Sequence, residues 1–321
     1  MTAVLVTIDT ELSPLAQSRG VRADENYACA ILGRVSDGEW GVAFQLRQFR
    51  EKGLKAVFFV EALSANVVGL DLLKRTIDPI LSDGHEVQLH IHTEWLEWFS
   101  SDPVSGRRGQ NMCDFSMDDQ RRLIAAGIEN LTRAGAPRPV AFRAGNYGAN
   151  NDTLRALASE GIRYDSSYNF AYLGNPCRIA TREPLVEPVE MDGAVEVPIS
   201  TFIDYPGHQR PAQLCAISAS EMNLLLRQSL AQNRPSAIIV SHSFELLNGT
   251  RTRGNPIVVR RFEKLCEILS ALGERALTGG FVELERDNLA RADVRISPIQ
   301  SQPWRTALRV AEQAAGTFLY G

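Results

Sequence analysis

The sequence has few histidines, few cysteines and no long apolar run, and each shortage excludes something. Its five cysteines stand at positions 29, 113, 177, 215 and 266, with no C-x-x-C pair. That spacing argues against a zinc ribbon or a thioredoxin-type site. An odd, dispersed set reads as reduced thiols. No stretch approaches the roughly 20 consecutive apolar residues that span a bilayer, so no integral membrane segment is expected. The opening "MTAVLVTIDTELSP" has no basic flank and meets Asp9 too early for a secretory leader, so a cytoplasmic location is expected. Charge of one sign is also lacking: 34 Lys and Arg stand against 38 Asp and Glu, a net −4. Such a balance leaves no basic footprint for nucleic acid.

What is present is a globular chain of 321 residues, 44% apolar, enough for a sizeable core. "AVLVTID" reads as a buried strand over 3–9, followed by a long polar connection over 10–39. "WGVAFQLRQFREKGL" has apolar residues at helical spacing and a glycine stop at Gly53. "KAVFFVEA" and "HEVQLHIH" read as strands, with a helix between them that Pro79 should interrupt. Residues 96–116 read as a loop, and Ser116 caps a helix that ends at Gly135. "PVAFRAG", "IRYDSSY", "AVEVPIS", "SAIIVSHS" and a last "GGFVELE" near 280–285 read as further strands, interleaved with helices. This alternation predicts a largely parallel sheet, closed into a complete or distorted (β/α) barrel. Residues 287–321 form an extension, helical and packed on the exterior of a 1–286 domain.

Five histidines serve the whole chain, and three of them fall in "HEVQLHIHTEW". His90 and His92 are two apart on a strand and so share a face. Asp9 and Glu11 repeat that spacing after the first strand. A strand-borne H-x-H with nearby carboxylates is an ordinary zinc or iron arrangement. Other strands also end in chemistry: "FRAGNYG" delivers Arg143, Asn146 and Tyr147, and "VSHS" delivers His242. In a parallel barrel, functional groups gather at the C-terminal strand ends.

The order of these motifs resembles the polysaccharide deacetylase family, the NodB-homology or carbohydrate esterase 4 fold. "TIDTE" stands for its first motif, "GHEVQLHIHTE" for the second, "FRAGNYG" for the third, "YDSSYN" for the fourth and "IIVSHSFEL" for the fifth. The resemblance runs over about 3–286 and implies a distorted barrel of the NodB-homology type holding a divalent metal, with zinc expected from mixed His and carboxylate ligands. It implies Asp9 as general base, oriented by Arg143, and the Tyr147 backbone N–H beside the developing oxyanion. His242 is the expected acid, because an imidazole titrates near neutrality. The sequence departs from the family at Thr10, where a second aspartate is usual, and Glu11 is the natural substitute. It departs again at Glu94, where the family has its second histidine. Strand geometry favours His90 and His92 as the ligand pair with Glu11, and Glu94 is the alternative ligand.

Trp95, Trp98 and Phe244, with Asn146, are candidate sugar contacts, while loop packing competes for the aromatic residues. His85 starts its strand at the wrong end for the mouth and reads as structural. His208 reads as a solvent-facing loop residue. Arg107, Arg108, Arg251 and Arg253 would bind an anionic group if their loops rim one mouth. The expected activity is metal-dependent removal of an N-acetyl group from a carbohydrate, with a lipid- or nucleotide-linked precursor among the expected substrates. Hydrolysis of a formamide or cyclic amide is an alternative, as is a non-catalytic sugar-binding protein.

Overall fold

A computed structural model describes residues 2–101, 103–104, 109–284 and 298–320. The central sheet follows from strands too apolar to be left on a surface. Its strands run Ser236–His242, Thr2–Thr10, Val57–Glu61, Glu86–Ile91, Ala141–Ala144, Tyr164–Asp165, Ala194–Glu196 and Val189–Met191, with Ala276–Thr278 also paired to Thr2–Thr10. All pairings are parallel except that of Val189–Met191 with Ala194–Glu196. The expected parallel α/β sheet is therefore the observed one, curled into a distorted barrel.

Alternation along each strand sorts its side chains between two cores. Val4, Val6, Ile8, Phe58, Val60, Leu89 and Phe142 pack outward with the helices. Leu5, Val57, Phe59, Ala141, Ile238 and Val240 fill a smaller cluster inside the curl. The inward series then becomes polar toward the strand ends, as Thr7 and Asp9 follow Leu5 and Arg143 follows Ala141. Helix Met117–Arg133 lies close on the sheet because Gly127 has no side chain, since a Cβ there would come within 2.8 Å of Leu89 Cδ1.

Three expectations need correction. Residues 10–39 are not one polar connection. They hold helices Pro14–Ser18 and Ala23–Ala30 and a hairpin of Arg34–Val35 with Gly38–Glu39. Ser13 caps the first helix through Ala16 N–H, and the buried Asn26 side chain bonds both the N–H and the carbonyl of Ser13. Pro79 does not interrupt its helix, which runs Leu70–Ser82. Pro79 is on the exposed face, while Leu72, Leu73, Ile77 and Ile80 anchor the other.

"GGFVELE" is not a strand: the strand lies earlier, at Ala276–Thr278, and Phe281–Glu283 form a 3-10 turn. The Glu86 carboxylate accepts the N–H groups of Phe281 (2.9 Å) and Val282 (3.1 Å), bonds that a neighbouring strand would otherwise supply. Phe281 is thereby driven into the inner cluster, edge-on to Phe59 at 5.7 Å. Residues 285–297, where the extension was expected to begin, lie outside the described residues.

The chain's last described helix, Pro303–Tyr320, is tied to the barrel by polar contacts. Arg309 reaches Asp204 at 2.7 Å and Glu221 at 3.2 Å, and Arg261 reaches Glu312 at 2.7 Å. Ahead of it, Ile299–Gln300 pairs in parallel with Thr201–Tyr205. No helix among the described residues is long and apolar enough to cross a membrane.

The Glu86 plug makes a prediction. Glu86→Ala removes the acceptor of the half-buried Phe281 N–H and of the exposed Val282 N–H and should cost about 1–3 kcal/mol in denaturant unfolding, most of it from the Phe281 bond. An unchanged midpoint would show that the 281–283 turn holds Phe281 without Glu86.

Candidate active site and metal centre

Parallel register brings the chemistry together before any loop is considered. Asp9 pairs with His242 across one strand boundary, and His90 pairs with Arg143 across another. These ends open on a cavity of about 420 Å³ lined by Asp9, Glu11, His90, His92, Tyr147 and His242, with Asn146, Tyr172 and Gln213 at its wall. Sequence positions spread over more than 230 residues thus meet at one mouth.

Glu11, His90 and His92 offer ligand atoms that all lie within 4.8 Å of one another. The Glu11 Oε2 atom is 3.1 Å from His90 Nε2 and 2.6 Å from His92 Nε2. The other ring nitrogens are occupied. His90 Nδ1 lies 2.7 Å from the Arg143 carbonyl oxygen, which can only accept, so this nitrogen carries the proton. His92 Nδ1 lies 3.2 Å from Glu94 Oε2, which fixes that ring in the same sense. Both Nε2 atoms then converge on one carboxylate oxygen, an arrangement satisfied either by protons on the rings or by a cation standing between them. Two imidazoles and one carboxylate, backed by a carbonyl and a second carboxylate and open to a cavity, fit a catalytic divalent-metal site. Although burial opposes its charge, Glu11 is held well below the usual carboxylate range by His92 and His90.

Gly145 is what lets His92 reach this position. A Cβ there would come within 2.7 Å of the His92 ring and 2.8 Å of the Ile91 carbonyl. Beyond it, Asn146 and Tyr147 take left-handed φ values of 55° and 58°, uncommon for residues with side chains. That turn aims Tyr147 into the cavity wall, where it stacks on Tyr172 with ring centroids 5.4 Å apart. The Tyr147 hydroxyl is buried without a protein partner.

Arg143 is fully buried. Its Nη1 donates to Asp9 Oδ1 at 2.6 Å and to Thr7 Oγ1 at 2.9 Å, and its Nε and Nη2 reach the Ser166 carbonyl and hydroxyl. Asp9 Oδ2 is left facing His242 Nε2 at 3.9 Å. The opposite nitrogen, His242 Nδ1, meets Glu245 Oε2 at 2.9 Å. Burial by itself would lower the His242 pKa, but Glu245, Asp9 and Glu11 raise it to about 9. The ring is therefore held protonated at neutral pH rather than poised near it, which differs from the sequence-based expectation. Glu245 lies inside the fifth motif, "IIVSHSFEL", three residues after His242, but the motif alone gives it no role.

The remaining candidates separate clearly. Trp95 is 0% exposed and belongs to the outer core, so it presents no face to a ligand; Trp98 packs edge-on against it at 5.6 Å. Neither lines the cavity, and loop packing accounts for both. Phe244 is half-buried, 5.3 Å from the His242 ring. Asn146 is exposed at the rim and donates to Glu94 Oε1 at 2.9 Å. His85 is buried between Phe49 and Phe58 and accepts from Ala56 N–H; burial, with Lys55, lowers its pKa to about 4. His208 pairs with Asp204 at 2.5 Å and stacks on Tyr205. Arg107 and Arg108 lie outside the described residues.

No protein-family model matches the sequence, and no curated protein matches it. Solved structures do. A candidate polysaccharide deacetylase from Mycobacterium smegmatis aligns over 92% of this chain and 94% of its own, with a TM-score of 0.56 and 20% identity. The fold is the polysaccharide deacetylase fold. More distant are a family 4 carbohydrate esterase from Streptomyces lividans solved with acetate and a family pseudoenzyme from Bacillus anthracis. The esterase has 12% identity and a TM-score of 0.41 over 87% of this chain and 92% of its own. The pseudoenzyme has 12% identity and a TM-score of 0.40 over 88% of this chain and 65% of its own. On the deacetylase fold, the strand ends that carry Asp9, His90, Arg143 and His242 are the C-terminal ends of barrel strands, the functional face of such sheets.

This geometry predicts how metal affinity divides. His90→Gln, His92→Gln and Glu11→Gln should each abolish zinc binding in a chelator competition. Glu94→Gln, which removes only the partner of His92, should weaken it about 10–100-fold. Loss of metal in Glu94→Gln with retention in His92→Gln would reverse the assignment.

Proposed function

We propose that this protein is a metal-dependent hydrolase that removes an N-acetyl group from a sugar or glycan precursor. One observation carries the reading. The Glu11, His90 and His92 ligand atoms face the same cavity as an arginine-anchored aspartate and a carboxylate-anchored histidine. A binding protein has no use for that second pair.

A divalent cation on these three ligands, with zinc the natural match to the donor set, would polarise the acyl carbonyl and acidify a bound water. Asp9 accepts the water's proton through Oδ2, because Oδ1 is committed to Arg143. The Arg143 fork keeps Asp9 ionised and fixes its plane. His242, protonated on both nitrogens, donates from Nε2 to the departing amine while Nδ1 stays on Glu245. The Tyr147 backbone N–H is assigned to the developing oxyanion. Its orphaned hydroxyl gains a partner when a polar substrate group or a water enters.

Two outcomes test these roles. Asp9→Asn should retain zinc and lose nearly all acetate release, and full activity in that variant would remove the proposed base. His242 acts in its protonated form, so the rate should fall as pH rises through its pKa, on an alkaline limb held up by Glu245. Glu245→Gln removes the charge that raises this pKa, so the limb should move to lower pH. A limb that stays in place in Glu245→Gln would show that His242 is not the group titrating.

A further inference from the structure

We propose that Arg251 is the recognition residue for a negatively charged group on the substrate, one sugar ring away from the amide being cleaved. The inference rests on the deacetylase reading of the same cavity and narrows its substrate class to N-acetylated sugars that carry an oxyanion.

Arg251 sits in the connection between strand Ser236–His242 and helix Pro256–Leu272, at the cavity end of that strand. The connection is tightly built. Arg251 N–H donates to the Asn248 carbonyl at 2.8 Å, and the buried Asn248 side chain accepts from Thr252 N–H and Arg253 N–H. Ser36 and Asp37 of the small hairpin hold its far end, bonding the Thr252 carbonyl and Gly254 N–H. Arg251 itself is held at φ 54°, a left-handed conformation that a side-chain-bearing residue rarely takes in a freely chosen turn.

The turn directs the guanidinium onto Phe244, with Cζ 3.9 Å from the ring centre. Phe244 in turn lies 5.3 Å from the ring of His242, the proposed acid. The guanidinium carbon is thus at most about 9 Å from the centre of the His242 ring, a span that a sugar ring and its substituent can bridge. Stacking covers one face of the guanidinium and leaves its N–H edge free for a bidentate acceptor.

Among the described residues, Arg251 has no carboxylate partner. Half-buried Arg210 is matched by Asp204, and the buried Arg234 and Arg261 by Glu187 and Glu312. The cavity itself is lined with Asp9, Glu11 and, behind His242, Glu245. Arg143 answers Asp9, His242 answers Glu245 and the proposed cation answers Glu11, so among the described residues near this mouth Arg251 is a cation left for a substrate anion, with the acetamido group inward and the anion at the rim. Both a glycosyl phosphate and a sugar carboxylate satisfy this chemistry.

The test uses zinc-loaded full-length protein, wild type and Arg251→Gln. The probes are N-acetylglucosamine 1-phosphate, N-acetylmuramic acid and uncharged N-acetylglucosamine. The Arg251 Nε–Hε resonance, assigned by its absence in Arg251→Gln, is followed during titration with each probe and with inorganic phosphate. We expect an anionic probe to shift it and to bind about tenfold more tightly than the uncharged sugar, with the preference lost in Arg251→Gln. A stronger effect of the phosphate probe identifies a glycosyl phosphate, and of the carboxylate probe an acidic sugar. No shift with any anion, or an equal preference in Arg251→Gln, overturns the proposal. A shift at Arg251 without acetate release from any probe supports the anion site and removes the deacetylase reading.

Discussion

A full positive charge with no solvent exposure has to be matched from every side, and Arg143 is matched by groups from several strands that the parallel register brings to one end of the sheet. Asp9 and Thr7 come from the first strand, the Ser166 carbonyl and hydroxyl from "YDSS", and the Phe59 ring lies 4.3 Å beneath the guanidinium. Removing one partner of such a buried pair generally costs about 3–5 kcal/mol, because the other charge is left unpaired. The same constraint fixes the chemistry. Asp9 Oδ1 is consumed by Arg143, so only Oδ2 faces the cavity and His242. The Arg143 carbonyl simultaneously holds His90 Nδ1, so one residue sets the orientation of both a proposed base and a proposed ligand.

The surrounding groups follow a common pattern in which each imidazole has one nitrogen anchored and one presented. His90 is anchored by a carbonyl, His92 by Glu94 and His242 by Glu245. A carbonyl or second-tier carboxylate behind a ring selects its tautomer and stops it rotating. What differs is the environment of the presented nitrogen. Those of His90 and His92 converge on Glu11 as a cation would require. That of His242 faces Asp9 and keeps its proton, so three chemically identical side chains take two different roles.

Much of this was legible because parallel strands obey two simple rules. Side chains alternate, so His90 and His92 had to share a face, and polar residues closing apolar runs had to collect at one end of the sheet. Glu245 escaped because it lies in the turn after its strand, where no periodicity announces direction. The sequence leaves Trp95 open between sugar contact and loop packing for a related reason: aromatic residues beside a site look the same in sequence whether they face the ligand or the core, and Trp95 faces the core. The 281–283 segment has the composition of a strand, yet Glu86 supplies its hydrogen bonds and turns it into a plug. Its identity depended on a carboxylate 195 residues away. The two helices between 10 and 39 depend on a capping serine and a buried asparagine, which composition alone reads as polar loop.

The central claim is that Glu11, His90 and His92 hold a divalent cation beside Asp9. Crystals of the zinc-loaded protein measured on either side of the zinc absorption edge test it directly. The account predicts one anomalous peak per chain, about 2.0–2.2 Å from Nε2 of His90, Nε2 of His92 and a Glu11 oxygen, with Glu94 bonded to His92 rather than to the metal. A peak ligated by Glu94 in place of His92, or zinc bound elsewhere with this triad unoccupied, would contradict it.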